Sequence, residues 1–82
     1  MIVIDVRVPV IGKTFDFSLE EDIEAKICIE EVAELICQRE GCILESETSE
    51  FILTNLKNGL ILKESKTLKE NGIRSGDTLI LT

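Results

Sequence analysis

The sequence predicts an α+β fold, a mixed sheet of four to five strands packed on one main helix. Three observations carry that prediction. Apolar residues alternate from Ile2 to Val8 and from Phe15 to Leu19; they recur at helical spacing from about Cys28 to Glu40; and a short apolar strand, Thr78-Leu79-Ile80-Leu81, closes the carboxyl end.

In the first segment Ile2, Ile4, Val6 and Val8 point one way, and Val3, Asp5 and Arg7 the other. A period of two is the mark of a half-buried strand. Pro9 has no N–H for a ladder, so regular pairing weakens there. Gly12-Lys13-Thr14 then turns the chain, with Gly12 free to take positive φ. Phe15, Phe17 and Leu19 alternate with Asp16 and Ser18, which completes an antiparallel hairpin.

Residues 20–25 are polar and read as a connection. The helix follows: Ile29, Val32, Ala33, Ile36 and Cys37 fall on one stripe, Leu35 widens it, and Glu30, Glu31 and Glu34 lie mostly opposite. The first two of these acids are expected near the positive end of the helix dipole. Arg39 suits the last turn, and Gly41 supplies a left-handed cap. Beyond a polar loop at 46–50, Phe51 to Thr54 reads as a short strand, Asn58-Gly59 as a tight turn, and Leu60-Ile61-Leu62 as a second short strand. Thr67 to Ile73 reads as a short helical turn ended by Gly72, and Ser75-Gly76-Asp77 leads into the last strand. A helical stripe of this width must be covered by a sheet face, which makes the first and last strands natural central neighbours.

Eighty-two residues is room for one domain, 1–82. The net charge of −7, from 16 acidic and 9 basic side chains, repels a phosphate backbone and disfavours nucleic acid as a partner. It equally disfavours electrostatic docking on an anionic membrane. Apolar runs are only a few residues long, so no membrane insertion is expected, and the start lacks the pattern of a signal peptide. Those readings predict a cytoplasmic protein. Cys28, Cys37 and Cys42 are odd in number and contain no C-x-x-C pair, and histidine is absent. Reduced thiols, one or two of them buried, are expected, with Cys42 the most exposed; neither metal nor cofactor is expected. Gly12-Lys13-Thr14 is not a phosphate-binding loop, because position 7 is Arg and a strand follows. None of the carboxylates stands in a nucleophile-and-base arrangement, so a binding protein is expected and not an enzyme.

Two stretches add a family resemblance. The turn Ile11-Gly12-Lys13-Thr14 resembles the Gly-Lys-Thr turn of ubiquitin, and it precedes a strand and a helix ending Gln38-Arg39-Glu40-Gly41. Gly72-Ile73-Arg74-Ser75-Gly76-Asp77-Thr78-Leu79-Ile80-Leu81 resembles the closing segment of ubiquitin-like domains. Together they liken nearly the whole chain to the ubiquitin-like (β-grasp) superfamily, and most to the small YukD/EsaB-like proteins of type VII (ESX-like) secretion in Gram-positive bacteria. The resemblance implies a ββαββ order with a short extra strand, and a non-covalent accessory or regulatory role in such a system. The protein partner it implies is a secretion ATPase or a membrane component. The given sequence ends at Leu81-Thr82 without the diglycine of conjugated ubiquitin-like proteins, so conjugation is not expected; a sulfur carrier or modifier lacking its Gly-Gly tail is the alternative.

The strand register places Val3, Ile80 and one residue of the Phe51–Thr54 strand, Ile52, on the sheet face away from the helix, with Val10 and Ile11 at its edge. These five are the expected protein-binding residues, and a homodimer through the same face is the competing expectation.

Overall fold

The computed structural model describes residues 1–41 and 51–82. Strands β1 (Ile2–Val8) and β2 (Lys13–Leu19) form the hairpin, helix α1 covers Ala25–Glu40, and β3 (Leu53–Asn55), β4 (Leu60–Ile61) and β5 (Thr78–Leu81) complete the fold. The five strands make one mixed sheet in the order β2-β1-β5-β3-β4, the α+β arrangement expected. Its centre is the parallel pair β1–β5, with Val6 beside Leu79. The expected polar loop at 46–50 and the expected exposure of Cys42 lie outside the described residues.

The period-two residues face the helix as predicted. Ile4, Val6, Leu79, Leu53 and Val32 have almost no exposed surface, and Phe15, Phe17 and Leu81 join them in one apolar, mainly aliphatic core. Pro9 ends the β1 ladder by opening a 3-10 turn, Pro9–Ile11, closed by Gly12 at φ 64° with its N–H donated to the Pro9 carbonyl. At the far end of the helix the Arg39 guanidinium lies 5.9 Å from the Phe15 ring centroid. Lys13 Nζ reaches Glu40 Oε1 at 2.7 Å, tying the hairpin turn to the last helical turn.

The helix begins at Ala25, three residues before the expected start near Cys28. Its N-cap, Glu24, makes no side-chain capping bond. The Ala25 N–H donates instead to the Lys66 carbonyl (2.9 Å) and the Lys26 N–H to the Glu64 carbonyl (3.1 Å). A distant loop thus satisfies donors that a helix start leaves open. Because of the earlier start, no acidic residue lies in the first turn, which corrects the expectation for Glu30 and Glu31. Leu35 does not widen the buried stripe; it is 43% exposed, because Ala25, Cys28, Ile29, Val32, Ala33 and Ile36 already fill the face that meets the sheet. Cys28 is a buried free thiol, whereas Cys37 is half-buried and disulfide-bonded, so reduced thiols are not found throughout.

The predicted helical turn at 67–73 is a single hydrogen-bonded turn capped at both ends. Thr67 and Glu70 form a reciprocal capping box: the Glu70 N–H donates to Thr67 Oγ1 and the Thr67 N–H to Glu70 Oε1, both at 3.0 Å. At the other end the Ile73 N–H reaches the Leu68 carbonyl and the Gly72 N–H the Lys69 carbonyl, with Gly72 at φ 76°. That is a Schellman closure, and its two apolar partners, Leu68 and Ile73, are buried together. Asn71 joins this turn to the end of β4: its Oδ1 accepts from the Lys63 N–H, and its Nδ2 donates to the carbonyls of Lys63, Lys66 and Thr67.

Two outcomes follow from this connectivity. Asn71→Ala removes several bonds at once and costs on the order of 2 kcal/mol of unfolding free energy, against about 1 kcal/mol for Thr67→Ala. Urea denaturation of both variants checks the ranking. The Cys28 thiol, pushed up to about 12 by burial and then by the charge of Glu31, resists iodoacetamide in the native chain and is alkylated once the chain is denatured. Peptide mass mapping reads both states.

Candidate protein-interaction surface

The pairing register lays out the sheet face away from the helix row by row. One row runs Thr14, Arg7, Ile80, Thr54 and Ile61 across all five strands. The next holds Asp16, Asp5 and Thr78, and the one after it Ser18 and Val3. In the other direction Ile52 pairs with Thr82 through two backbone bonds of 2.9 and 3.0 Å, which continues the β3–β5 ladder beyond the strand itself.

This map separates the five expected residues. Ile52 and Ile80 are diagonal neighbours across β3 and β5, close enough for side-chain contact. Val3 is exposed on the same face but stands two rows from Ile80, about 13 Å along the strands, with Asp5 and Thr78 between. Val10 and Ile11 lie in the 3-10 turn and look towards the helix. They line an apolar cleft of about 170 Å³ with Val8, Ala33, Ile36 and Leu81 among its other walls. Hence the face carries an aliphatic pair at one end, an isolated valine at the other, and a separate apolar cleft behind the hairpin turn.

The middle of the face is polar. Asp5 and Asp16 are direct cross-strand partners, an arrangement that normally opposes pairing because like charges meet. Asp5 holds its proton above the ordinary carboxylate value of 3.8, first through its hydrogen bond with Asp16, then through desolvation and the Asp16 charge, with Arg7 pulling the other way. At the Val3 end, the Val3 N–H donates to Ser75 Oγ (3.1 Å), and the Val3 carbonyl accepts from the Gly76 N–H (2.7 Å).

Sequence reasoning missed the most exposed aliphatic pair of the sheet. Leu60 and Ile61 are 64% and 62% exposed. The available signal was the run Leu60-Ile61-Leu62, because alternation cannot bury three consecutive strand residues on one face; only Leu62 is buried. Among the described residues there is no group of three or more His, Cys, Asp or Glu able to hold a metal, and no helix long and apolar enough to cross a membrane.

Because the folded chain binds the Asp5 proton more tightly than the unfolded chain, ionisation above pH 3.8 costs folding stability. Asp5→Asn therefore raises the melting temperature at neutral pH, and the gain fades as the pH falls below 3.8, where the Asp5 carboxyl takes up its proton in folded and unfolded chain alike. Thermal melts of the two chains across this window check the sign.

Comparison with solved structures gives the same architecture. The ubiquitin-like domain of an Arabidopsis thaliana protein superposes with a TM-score of 0.75 at 15% identity, over 99% of this chain and 74% of that one. Another N-terminal ubiquitin-like domain gives 0.76 at 18% identity, over 99% and 72%. Caldiarchaeum subterraneum ubiquitin gives 0.71 at 20% identity, over 98% and 89%. Identities this low speak to the fold alone, which is ubiquitin-like. No curated protein sequence matches the chain. The family model described as "WXG100 protein secretion system (Wss), protein YukD" matches residues 3–81, and the chain therefore belongs to the YukD family.

Proposed function

We propose that this chain is a non-covalent protein-interaction module, an accessory or regulatory component of a WXG100 secretion system that works in the cytoplasm and does not catalyse a reaction. The observation that carries the reading is the family match from residue 3 to residue 81. The ubiquitin-like fold supports it, since such a sheet offers a solvent-facing surface while the opposite face holds the core. The partner in this reading is a secretion ATPase or a membrane component of the system. The docking surface is the outer face around Ile80 and Ile52, with Val3 at its far end, and Val10 and Ile11 offer a second apolar contact in the separate cleft behind the hairpin turn. Ile80 sits between Arg7 and Thr54 in the central row, an apolar centre bordered by polar groups, as in the core and rim of protein interfaces.

The test is affinity capture from the native cytosol with the chain and its Ile80→Asp variant, each first shown to melt cooperatively. The native chain is expected to retain a secretion ATPase or membrane component, with retention reduced about tenfold or more by the buried charge. Equal retention by both chains places the contact elsewhere. A native chain that runs as a dimer, becomes monomeric on Ile80→Asp and retains no secretion component makes this face a self-interface instead.

A further inference from the structure

We propose that the edge of the sheet at β4 is a second docking surface, for an acidic protein segment that carries an aliphatic anchor residue. The inference rests on reading the chain as a protein-binding module, but it concerns residues outside the Ile80 face.

The apolar part comes from the sheet ending early. β4 has two residues and, among the described residues, no strand pairs with its far side. Leu60 is paired with the buried Asn55, so it lies on the core side of the sheet, yet 64% of it is exposed. Ile61, paired with Thr54, emerges on the other side. The Leu62 N–H donates to the Leu53 carbonyl, so Ile61, one residue earlier, turns its own N–H and carbonyl away from β3 towards the open edge. Beside them a groove of about 180 Å³ opens between β4 and the capped turn, floored by Leu62 and Asn55 and flanked by Lys63 and Lys66.

The charged part is specific to this corner. Residues 57–74 hold five cations and two carboxylates, whereas residues 16–34 hold eight carboxylates and one cation. In a chain of net charge −7, five of the nine cations therefore fall in the segment that carries β4 and the capped turn, and Lys63 and Lys66 line the groove itself. The ion pair within contact distance among the described residues is Lys13–Glu40, so Lys57 and Lys63 make no ion pair there, while the charge of Lys66 acts on Glu70. Glu70, also in the groove wall, has one carboxylate oxygen committed to the Thr67 N–H.

The groove is also rigid before anything binds. Asn71 ties both walls together through Lys63, Lys66 and Thr67, and Asn58 Oδ1 accepts from the Leu60 N–H. A partner loses little affinity to ordering such a site. Nucleic acid is the weaker match, because no aromatic side chain lines the groove for base stacking and the whole chain repels phosphate. An acidic segment gains from the lysines and is repelled by the rest of the surface, which confines it to this edge.

The experiment is a titration of the isotope-labelled chain, followed by its amide NMR shifts. The probes are a capped peptide of Glu and Asp around a central Leu, the same peptide with Lys in place of the acids, and vesicles of phosphatidylglycerol. The acidic peptide is expected to shift Gly59 to Lys63 and Asn71. Its binding should weaken about tenfold in Lys63→Glu/Lys66→Glu, weaken also in Leu60→Asp, and persist in Ile80→Asp. Unchanged melts establish that the variants fold. Equal binding of the lysine peptide, shifts centred on Ile80, concentration-dependent shifts without peptide, binding by vesicles alone, or no binding of the acidic peptide would each overturn the proposal. Persistence of peptide binding in Ile80→Asp separates this surface from the outer face, so either can fail without the other.

Discussion

The parallel pairing of β1 with β5 is the contact on which the rest of the molecule depends. It joins the first strand to the last, and every other element is placed relative to it. β2 adds to the free side of β1, β3 to the free side of β5, and β4 to β3. Parallel strands cannot be joined by a tight turn, and here nearly the whole chain is the crossover. The junction is made firm where β5 begins: the Asp5 N–H donates to the Asp77 carbonyl, the Gly76 N–H to Val3, and Asp77 Oδ2 accepts the Arg74 N–H. Asp77 and Gly76, with φ at 91°, form the turn that aims the last strand along the first.

A second dependence runs through the 63–73 segment, which has almost no regular secondary structure and still organises its neighbours. Its carbonyls receive the first N–H groups of α1, its Asn71 closes the end of β4, and its Leu68 and Ile73 enter the core. The Leu68 N–H also donates to the Ile23 carbonyl and the Lys69 N–H to the Glu21 carbonyl, so the polar stretch before the helix is held by backbone bonds as well as by the Ile23 side chain against the core. This is how a chain of 82 residues satisfies its backbone with short elements.

The two sides of the sheet illustrate opposite economies. The helix side is apolar and nearly without exposed surface until the sheet reaches Leu60 at β4. The other is a mosaic in which Ile52 and Ile80 are diagonal neighbours, Val3 stands apart, and two aspartates share the centre. Such a face presents small apolar side chains framed by polar and charged groups. Charge is also uneven along the chain, with five of its nine cations between residues 57 and 74, a bias that the net charge of −7 conceals.

Much of this was legible in the residues. A period of two assigned Ile2, Ile4, Val6 and Val8 to one face and Val3, Asp5 and Arg7 to the other. The glycines at 12, 41, 59 and 72 marked turns because each needs positive φ. Local pattern determines which way a side chain points from its own backbone. Tertiary structure decided which residues meet. The start of α1 depends on carbonyls some 40 residues away in sequence, the gap between Val3 and Ile80 on the stagger of β1 against β5, and the exposure of Leu60 on the sheet stopping at β4. Each is set by register and by which strand lies next, quantities that arise only when distant segments pair.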